Sequence, residues 1–159
     1  MAELPLHLTR DFSPEKSDTS VVGRKGEAAA AEYLESNGYQ LILSNFKVPV
    51  GRNSNGALIT GEIDLIALDG DTLCFIEVKT RRSDDFASPT ANVTLRKQRQ
   101  ITRTAKIYRR IFGVLEHPYR FDVVSVVLGE DDDPQIELFR SFWDISKFRK
   151  RRWQFDPLD

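Results

Sequence analysis

The sequence predicts a single α/β (α+β) domain, and three observations carry that reading. Residues 61–68 and 73–79, rich in branched and aromatic side chains, flank the polar turn Asp69-Gly70-Asp71-Thr72 and read as a β-hairpin. Helix-forming stretches precede and follow that hairpin in the chain. Residues 119–128 hold four valines, as a central strand should. A chain of 159 residues is long enough for one proper core.

Residues 1–20 contain Pro5, Pro14 and scattered Ser, Thr and Asp without periodicity, and are expected to form a flexible arm. The globular domain is then 21–145, with a basic tail over 146–159. A first helix is predicted over 20–37, because Ala28 to Ala31 are strong helix formers and Asn37-Gly38 is a stop. Gly23, Glu27, Ala30, Ala31 and Leu34 share its inward stripe. Glu27 is the odd member. Taken alone, it reads as an acid in the N-terminal half of the helix, favoured by the helix dipole and reaching for water.

Residues 39–50 read as one strand, or one broken by a bend near Ser44-Asn45. Residues 51–56 are a flexible loop by composition. After the hairpin, a long helix is predicted over 90–112, stopping near Gly113. Its inward stripe is Leu95, Gln98, Ile101, Thr102, Ala105, Tyr108 and Phe112. Arg96, Arg99, Arg103, Lys106 and Arg110 share another face that holds no acid. A structural face commonly mixes signs to gain i,i+4 pairs, so this one suits phosphates as well as water. Residues 119–128 form a strand, 129–134 an acidic turn, 135–143 a last strand, and 147–152 a basic segment with Phe148 and Trp153 beside it.

Composition narrows the chemistry. The chain is 40% hydrophobic and 30% charged, and no apolar run approaches the roughly 20 residues a membrane span needs. With neither a basic nor an apolar leader visible, a cytoplasmic location without membrane association is expected. The single cysteine, Cys74, lies mid-strand among apolar residues and reads as a core thiol. With only His7 and His117, histidine triads and histidine-rich metal sites are poorly supported, leaving carboxylates and lysine for any chemistry. The net charge of −1 is unevenly spread: residues 79–110 carry ten basic and two acidic side chains, and residues 140–153 six and one. That asymmetry hints at a polyanion-binding face.

The hairpin holds the most informative pattern. By strand alternation Glu62, Asp64, Ile66 and Leu68 share a face, as do Leu73, Phe75, Glu77 and Lys79. If residues 69–72 make the turn, Leu68 opposes Leu73, Ile66 opposes Phe75, Asp64 opposes Glu77, and Glu62 opposes Lys79. Opposed carboxylates destabilise a sheet unless something positive lies between them. A divalent cation does that, and oxygen ligands favour Mg²⁺ or Mn²⁺. Lys79 would point its ammonium into the same space, suited to placing a water or stabilising charge on a phosphate. A surface ion-pair patch on an edge hairpin is the plainer alternative.

Asp64 followed by Glu77-Val78-Lys79 resembles the PD-(D/E)XK nuclease signature. The ordered set Gly26-Glu27, Gly38-Tyr39, Asn45, Gly61-Glu62-Ile63-Asp64-Leu65-Ile66, Phe75-Ile76-Glu77-Val78-Lys79-Thr80-Arg81, Lys97 and Arg120-Phe121-Asp122-Val123-Val124 resembles the UPF0102 (YraN-like) family. That family is similar to archaeal Holliday-junction resolvases. The resemblance implies a restriction-endonuclease-like αβββαβ core with a central mixed sheet flanked by helices. It also implies that Glu27, on the first helix, joins the metal site, and that the Val78 carbonyl completes the coordination of Asp64 and Glu77. Ile63 stands where proline commonly precedes the aspartate, and residues 51–60 are longer than the connection usual in the family.

The expected function is a Mg²⁺-dependent (or Mn²⁺-dependent) endonuclease acting on structured or branched DNA. Asp64, Glu77 and Glu27 would hold the metal, and Lys79 would position the water. Arg81, Arg96, Lys97, Arg99 and Arg103 would neutralise backbone phosphates. Resolving a symmetric junction would call for a homodimer. A non-catalytic nucleic-acid-binding module in DNA repair or RNA processing is the rival, and cleavage of structured RNA a third reading.

Overall fold

The computed structural model describes residues 18–83, 88, 90, 93–131 and 133–148. The elements are α1 (Asp18–Ser36), β1 (Gln40–Arg52), β2 (Leu58–Asp69), β3 (Thr72–Arg82), α2 (Leu95–Ile111), β4 (Tyr119–Leu128), β5 (Gln135–Trp143) and a 3-10 turn, Ile145–Phe148. The strands form one sheet in the order β1-β2-β3-β4-β5, antiparallel throughout except for the parallel β3–β4 pair. A parallel pair needs a crossover, and α2 lies within it. The predicted α+β class and its helix-and-strand order are observed. The arm expected over 1–20 lies outside the described residues except for 18–20, which belong to α1. Of the expected tail, residues 149–159 lie outside them.

The helices cover opposite faces. Ala30 and Leu34 of α1 pack with Leu65, Cys74, Ile76 and Val124. Ile101, Ala105 and Tyr108 of α2 pack with Ile66, Phe75, Phe121 and Trp143. Phe121 and Trp143 stack at 4.7 Å, and the Trp143 indole N–H donates to Thr102 Oγ1 at 3.0 Å, fastening β5 to α2. Cys74 is fully buried among apolar neighbours, and that burial pushes its thiol up to about 12, so it is an inert core residue as expected.

Two expectations for α2 are corrected. The helix begins at Leu95 because Thr94 caps it, its hydroxyl accepting the Lys97 N–H at 3.3 Å, and not near Thr90. Leu95 and Phe112, expected inside, are half or more exposed because they sit at or beyond the ends. The buried threonine is Thr104, whereas Thr102 is only half-buried. A Cβ on Gly61 would stand 2.0 Å from Thr104 Oγ1, so the bare backbone of β2 is what lets α2 approach. Thr104 donates its hydroxyl proton to the Gln100 carbonyl at 2.8 Å.

The segment expected as a loop extends β1 to Arg52 and closes in a hydrogen-bonded tip. β1 and β2 remain paired to Arg52↔Leu58. Asn53 Oδ1 accepts the N–H groups of Asn55 at 3.0 Å and Ala57 at 2.9 Å, an Asx turn that substitutes for missing backbone pairing.

At the other end of the sheet Asp122 is fully buried and satisfied. It accepts Arg120 Nε at 3.0 Å and the Ser141 N–H at 2.9 Å. Ser141 takes φ +50, a left-handed kink in β5 that turns its N–H onto the carboxylate. Arg120 also donates to the Tyr39 hydroxyl and the Asp69 carboxylate, both at 2.8 Å. This network ties β2, β4, β5 and the residue that leads into β1 together, so Arg120 and Asp122 are clamps of the fold.

Candidate active site

The hairpin keeps the expected register near its turn, with Leu68↔Leu73 and Ile66↔Phe75, and Gly70 supplies the turn at φ +57. The β2–β3 ladder ends at Leu65↔Ile76. Beyond it β2 pairs with β1, as in Lys47↔Glu62, while β3 pairs with β4 as far as Arg82↔Leu128. The sheet therefore forks, and Asp64 and Glu77 stand where it divides. Asp64 bridges the division, its Oδ2 accepting the Val78 N–H at 2.8 Å in place of a backbone carbonyl.

Alternation also breaks here. Ile63 and Ile66 both pack in the core under α2, whereas Leu65 packs under α1. Strict alternation would set Ile63 beside Leu65. The expected Glu62–Lys79 opposition is consequently absent: Glu62 faces Lys47, with 3.9 Å between Nζ and Oε1. The sheet thus offers acids to both sides of the fork.

Glu77 is 3% exposed. Its Oε1 is 3.4 Å from Lys79 Nζ and 3.6 Å from Lys97 Nζ. Its Oε2 is buried without a hydrogen-bond partner. Burial, and then the charge of Asp64, push the Glu77 carboxyl up to about 7 despite both lysines. The two acids can share a hydrogen bond only if one of them holds a proton. Ionised together, they repel in a poorly hydrated place.

Glu27 lies across the fork on α1. Burial raises its pKa, the charges of Asp64 and Glu62 add to that, and a hydrogen bond from Asn45 and the charge of Lys47 oppose it. Its place follows from Gly26, where a Cβ would fall 1.8 Å from Thr80 Oγ1, so α1 lies directly on β3. Glu27, Asp64, Glu77, Val78 and Lys79, all predicted site residues, are brought together. Lys97, expected among the phosphate contacts, reaches Glu77 from α2. Arg96, Arg99 and Arg103 are exposed on α2, together with Lys106 and Arg110, and Arg81 is half-buried near the end of β3. Lys47, Glu62 and Asn45 stand beside these groups without being among the predicted site residues, although Asn45 lies at the predicted bend.

A cation suits the pair at the fork. The donors are oxygens, Glu77 Oε2 lacks a partner, and two buried acids raise the cost of ionisation that a divalent ion would offset. Among the described residues no three His, Cys, Asp or Glu side chains are gathered tightly enough to hold an ion as they stand. The fit therefore rests on Asp64 and Glu77, with Glu27 one step back.

The charge state of Glu77 has a measurable consequence for the metal-free protein. Its folded pKa lies above the ordinary 4.5, so the folded chain binds a proton that the unfolded chain has released between about pH 4.5 and 7. That stabilisation is fully present below pH 4.5 and lost as pH rises through 7. Denaturant melts in EDTA should show Glu77→Gln removing this decline relative to wild type. An unchanged slope would mean that Glu77 titrates normally.

The fold and the fork define a restriction-endonuclease-like α+β domain with an acid cluster at the division of its sheet. The chain belongs to the family described as Uncharacterised protein family UPF0102, whose profile matches residues 26–126. It is 42% identical over 124 residues to a UPF0102 protein of Desulfosudis oleivorans, covering 78% of this chain and 90% of that one. Identity to a UPF0102 protein of Chlorobium chlorochromatii is 43% over 123 residues, covering 77% and 87%. A UPF0102 protein of Geotalea uraniireducens is 35% identical over 134 residues, covering 84% and 98%. The solved structure of SSO0001 aligns at 17% identity over 82% of this chain and 56% of its own, with a TM-score of 0.36, a likeness too slight to bear on function. No helix among the described residues is long and apolar enough to cross a membrane.

Proposed function

We propose that this protein is a Mg²⁺-dependent endonuclease that hydrolyses phosphodiester bonds in structured or branched DNA. The observation that carries the proposal is the pairing of Asp64 with Glu77 at the fork, with Lys79 beside them and Glu77 Oε2 unpartnered. Asp64, Glu77 and the Val78 carbonyl would hold Mg²⁺ or Mn²⁺, with Glu27 completing the set. Such an ion, when bound, supplies Lewis-acid polarisation of the phosphate and a water of lowered pKa.

The protein's own groups have separate tasks. Lys79, held 3.4 Å from Glu77, orients the attacking water and donates to a phosphoryl oxygen. Lys97, reaching the same carboxylate from α2, meets the phosphate next to the cut. Arg96, Arg99 and Arg103 take backbone phosphates on the solvent face of the helix, and Arg81 takes one near the end of β3. A symmetric junction would be cut by two copies, one per strand.

The test is incubation with four-way junctions, flaps, single strands, duplexes and structured RNA in Mg²⁺ or EDTA, using wild type and Lys79→Ala. Cleavage of junctions or flaps should need Mg²⁺ and be lost in Lys79→Ala. Binding should weaken as salt rises, and Arg96→Ala/Arg99→Ala/Arg103→Ala should lower the log–log salt slope by about 2 to 3. Cleavage that persists in EDTA would overturn the metal-site reading. Binding of every substrate with cleavage of none would establish the non-catalytic module, and cleavage confined to RNA would replace the substrate.

A further inference from the structure

We infer that Asn45 is a positioning residue for the acid cluster: its left-handed backbone turns β1 opposite Asp64, and its side-chain amide holds the Glu27 carboxylate toward that aspartate. The inference rests on the metal-site reading above and assigns a role to a residue outside the acid and lysine set.

The backbone carries the first part. Asn45 takes φ +53 within β1, and it and Ser141 are the two non-glycine residues with positive φ among those described. Asparagine is among the few side chains that tolerate this conformation, and such residues gather where a site needs an irregular backbone. The β1–β2 register runs Leu43↔Ile66, Ser44↔Leu65, then Phe46↔Ile63 and Lys47↔Glu62, so the skipped step sets Asn45 against Asp64. Ile63 and Phe46 lie on the α2 side of the sheet, whereas Leu65 lies on the α1 side. Both strands therefore change face at the one step that contains Asn45 and Asp64.

The side chain carries the second part. The Asn45 side-chain amide lies against the Glu27 carboxylate and favours its ionised form. The tight Gly26–Thr80 contact sets where α1 lies, and so where the Glu27 backbone stands. It does not set the side chain, which is half-buried and long enough to turn to water. Lys47 is its cationic neighbour on β1, but Lys47 is exposed and paired to Glu62. The amide of Asn45 donates without adding charge, so it can orient Glu27 without competing for a cation. Ser141 is the informative contrast: its kink serves Asp122 through a backbone N–H, whereas Asn45 serves Glu27 through its side chain.

Asn45→Gly keeps a residue at ease with positive φ and removes the side-chain amide. In the full chain, Mn²⁺ binding by calorimetry should weaken about 10-fold in Asn45→Gly, the scale of a lost outer-shell contact. Combined with Glu27→Gln, the same change should add no further loss, because the group it positions is already gone. Independently of any metal, the Asn45 side-chain amide protons should exchange faster with solvent in Glu27→Ala than in wild type. Wild-type Mn²⁺ affinity in Asn45→Gly, an equal loss in the Glu27→Gln background, or identical amide exchange would each overturn the inference. Equal Mn²⁺ binding by wild type and Asp64→Asn would instead overturn the metal-site reading, and the role of Asn45 at a metal would fall with it.

Discussion

Asp64→Asn should reduce the proposed Mg²⁺-dependent cleavage on the order of 10³-fold or more while leaving the protein folded. Asparagine keeps an oxygen that can accept the Val78 N–H, now bonded at 2.8 Å, so the strand division is still bridged. What disappears is the negative charge that a divalent ion needs. The charge on Asp64 is also one cause of the raised Glu77 pKa, so in Asp64→Asn the Glu77 carboxyl should titrate at lower pH. Asp64→Ala confounds two effects, because it also strands a buried N–H at a cost of about 1–3 kcal/mol. Single-turnover cleavage of a junction or flap, with melts run alongside, separates them. Wild-type cleavage by a folded Asp64→Asn protein would remove Asp64 from the mechanism.

Asp122→Ala should act oppositely, destabilising the fold by about 3–5 kcal/mol with little direct effect on the chemistry. The substitution leaves the partly buried Arg120 guanidinium without its 3.0 Å partner and the Ser141 N–H without an acceptor. Asp69 and Tyr39 still hold the other end of Arg120, which keeps the loss toward the lower part of that range. Urea unfolding measures the difference, and cleavage per folded molecule should stay within about threefold of wild type, because Asp122 lies outside the acid cluster. A loss of turnover without loss of stability would move Asp122 into the site.

These two aspartates look alike in the sequence. Each lies in a strand among branched and aromatic residues, and Asp122 belongs to the same ordered set that signals the family. The difference is in their partners. Asp122 meets a guanidinium and an N–H, so its charge is answered within the fold. Asp64 meets one N–H and a second acid, which is the charge that the proposed cation would answer.

Local patterns were enough for the hairpin register near its turn, the inert Cys74, the exposed cationic face of α2 and the α+β class. Each follows from short-range rules: a two-residue turn sets strand pairing, alternation and 3.6-residue periodicity set faces, and burial sets the thiol. The start of α2 was missed because several residues could serve as its cap, and only the observed bond selects Thr94. The Asx turn over residues 53–57 was missed because its composition is also that of an open loop.

By itself, then, the sequence determined the fold class and which acids and lysine belong to the hairpin. The tertiary structure alone decided how they meet. Alternation predicts a regular ribbon with Glu62 against Lys79. The fork at Asp64 arises because β2 must satisfy β1, β3 and two close-lying helices at once. Gly26 and Gly61 set how near those helices come, and Asn45 turns the edge strand between them. Contacts between segments tens of residues apart carry no signature in any local window, so the sequence names the acids and their packing alone brings them together.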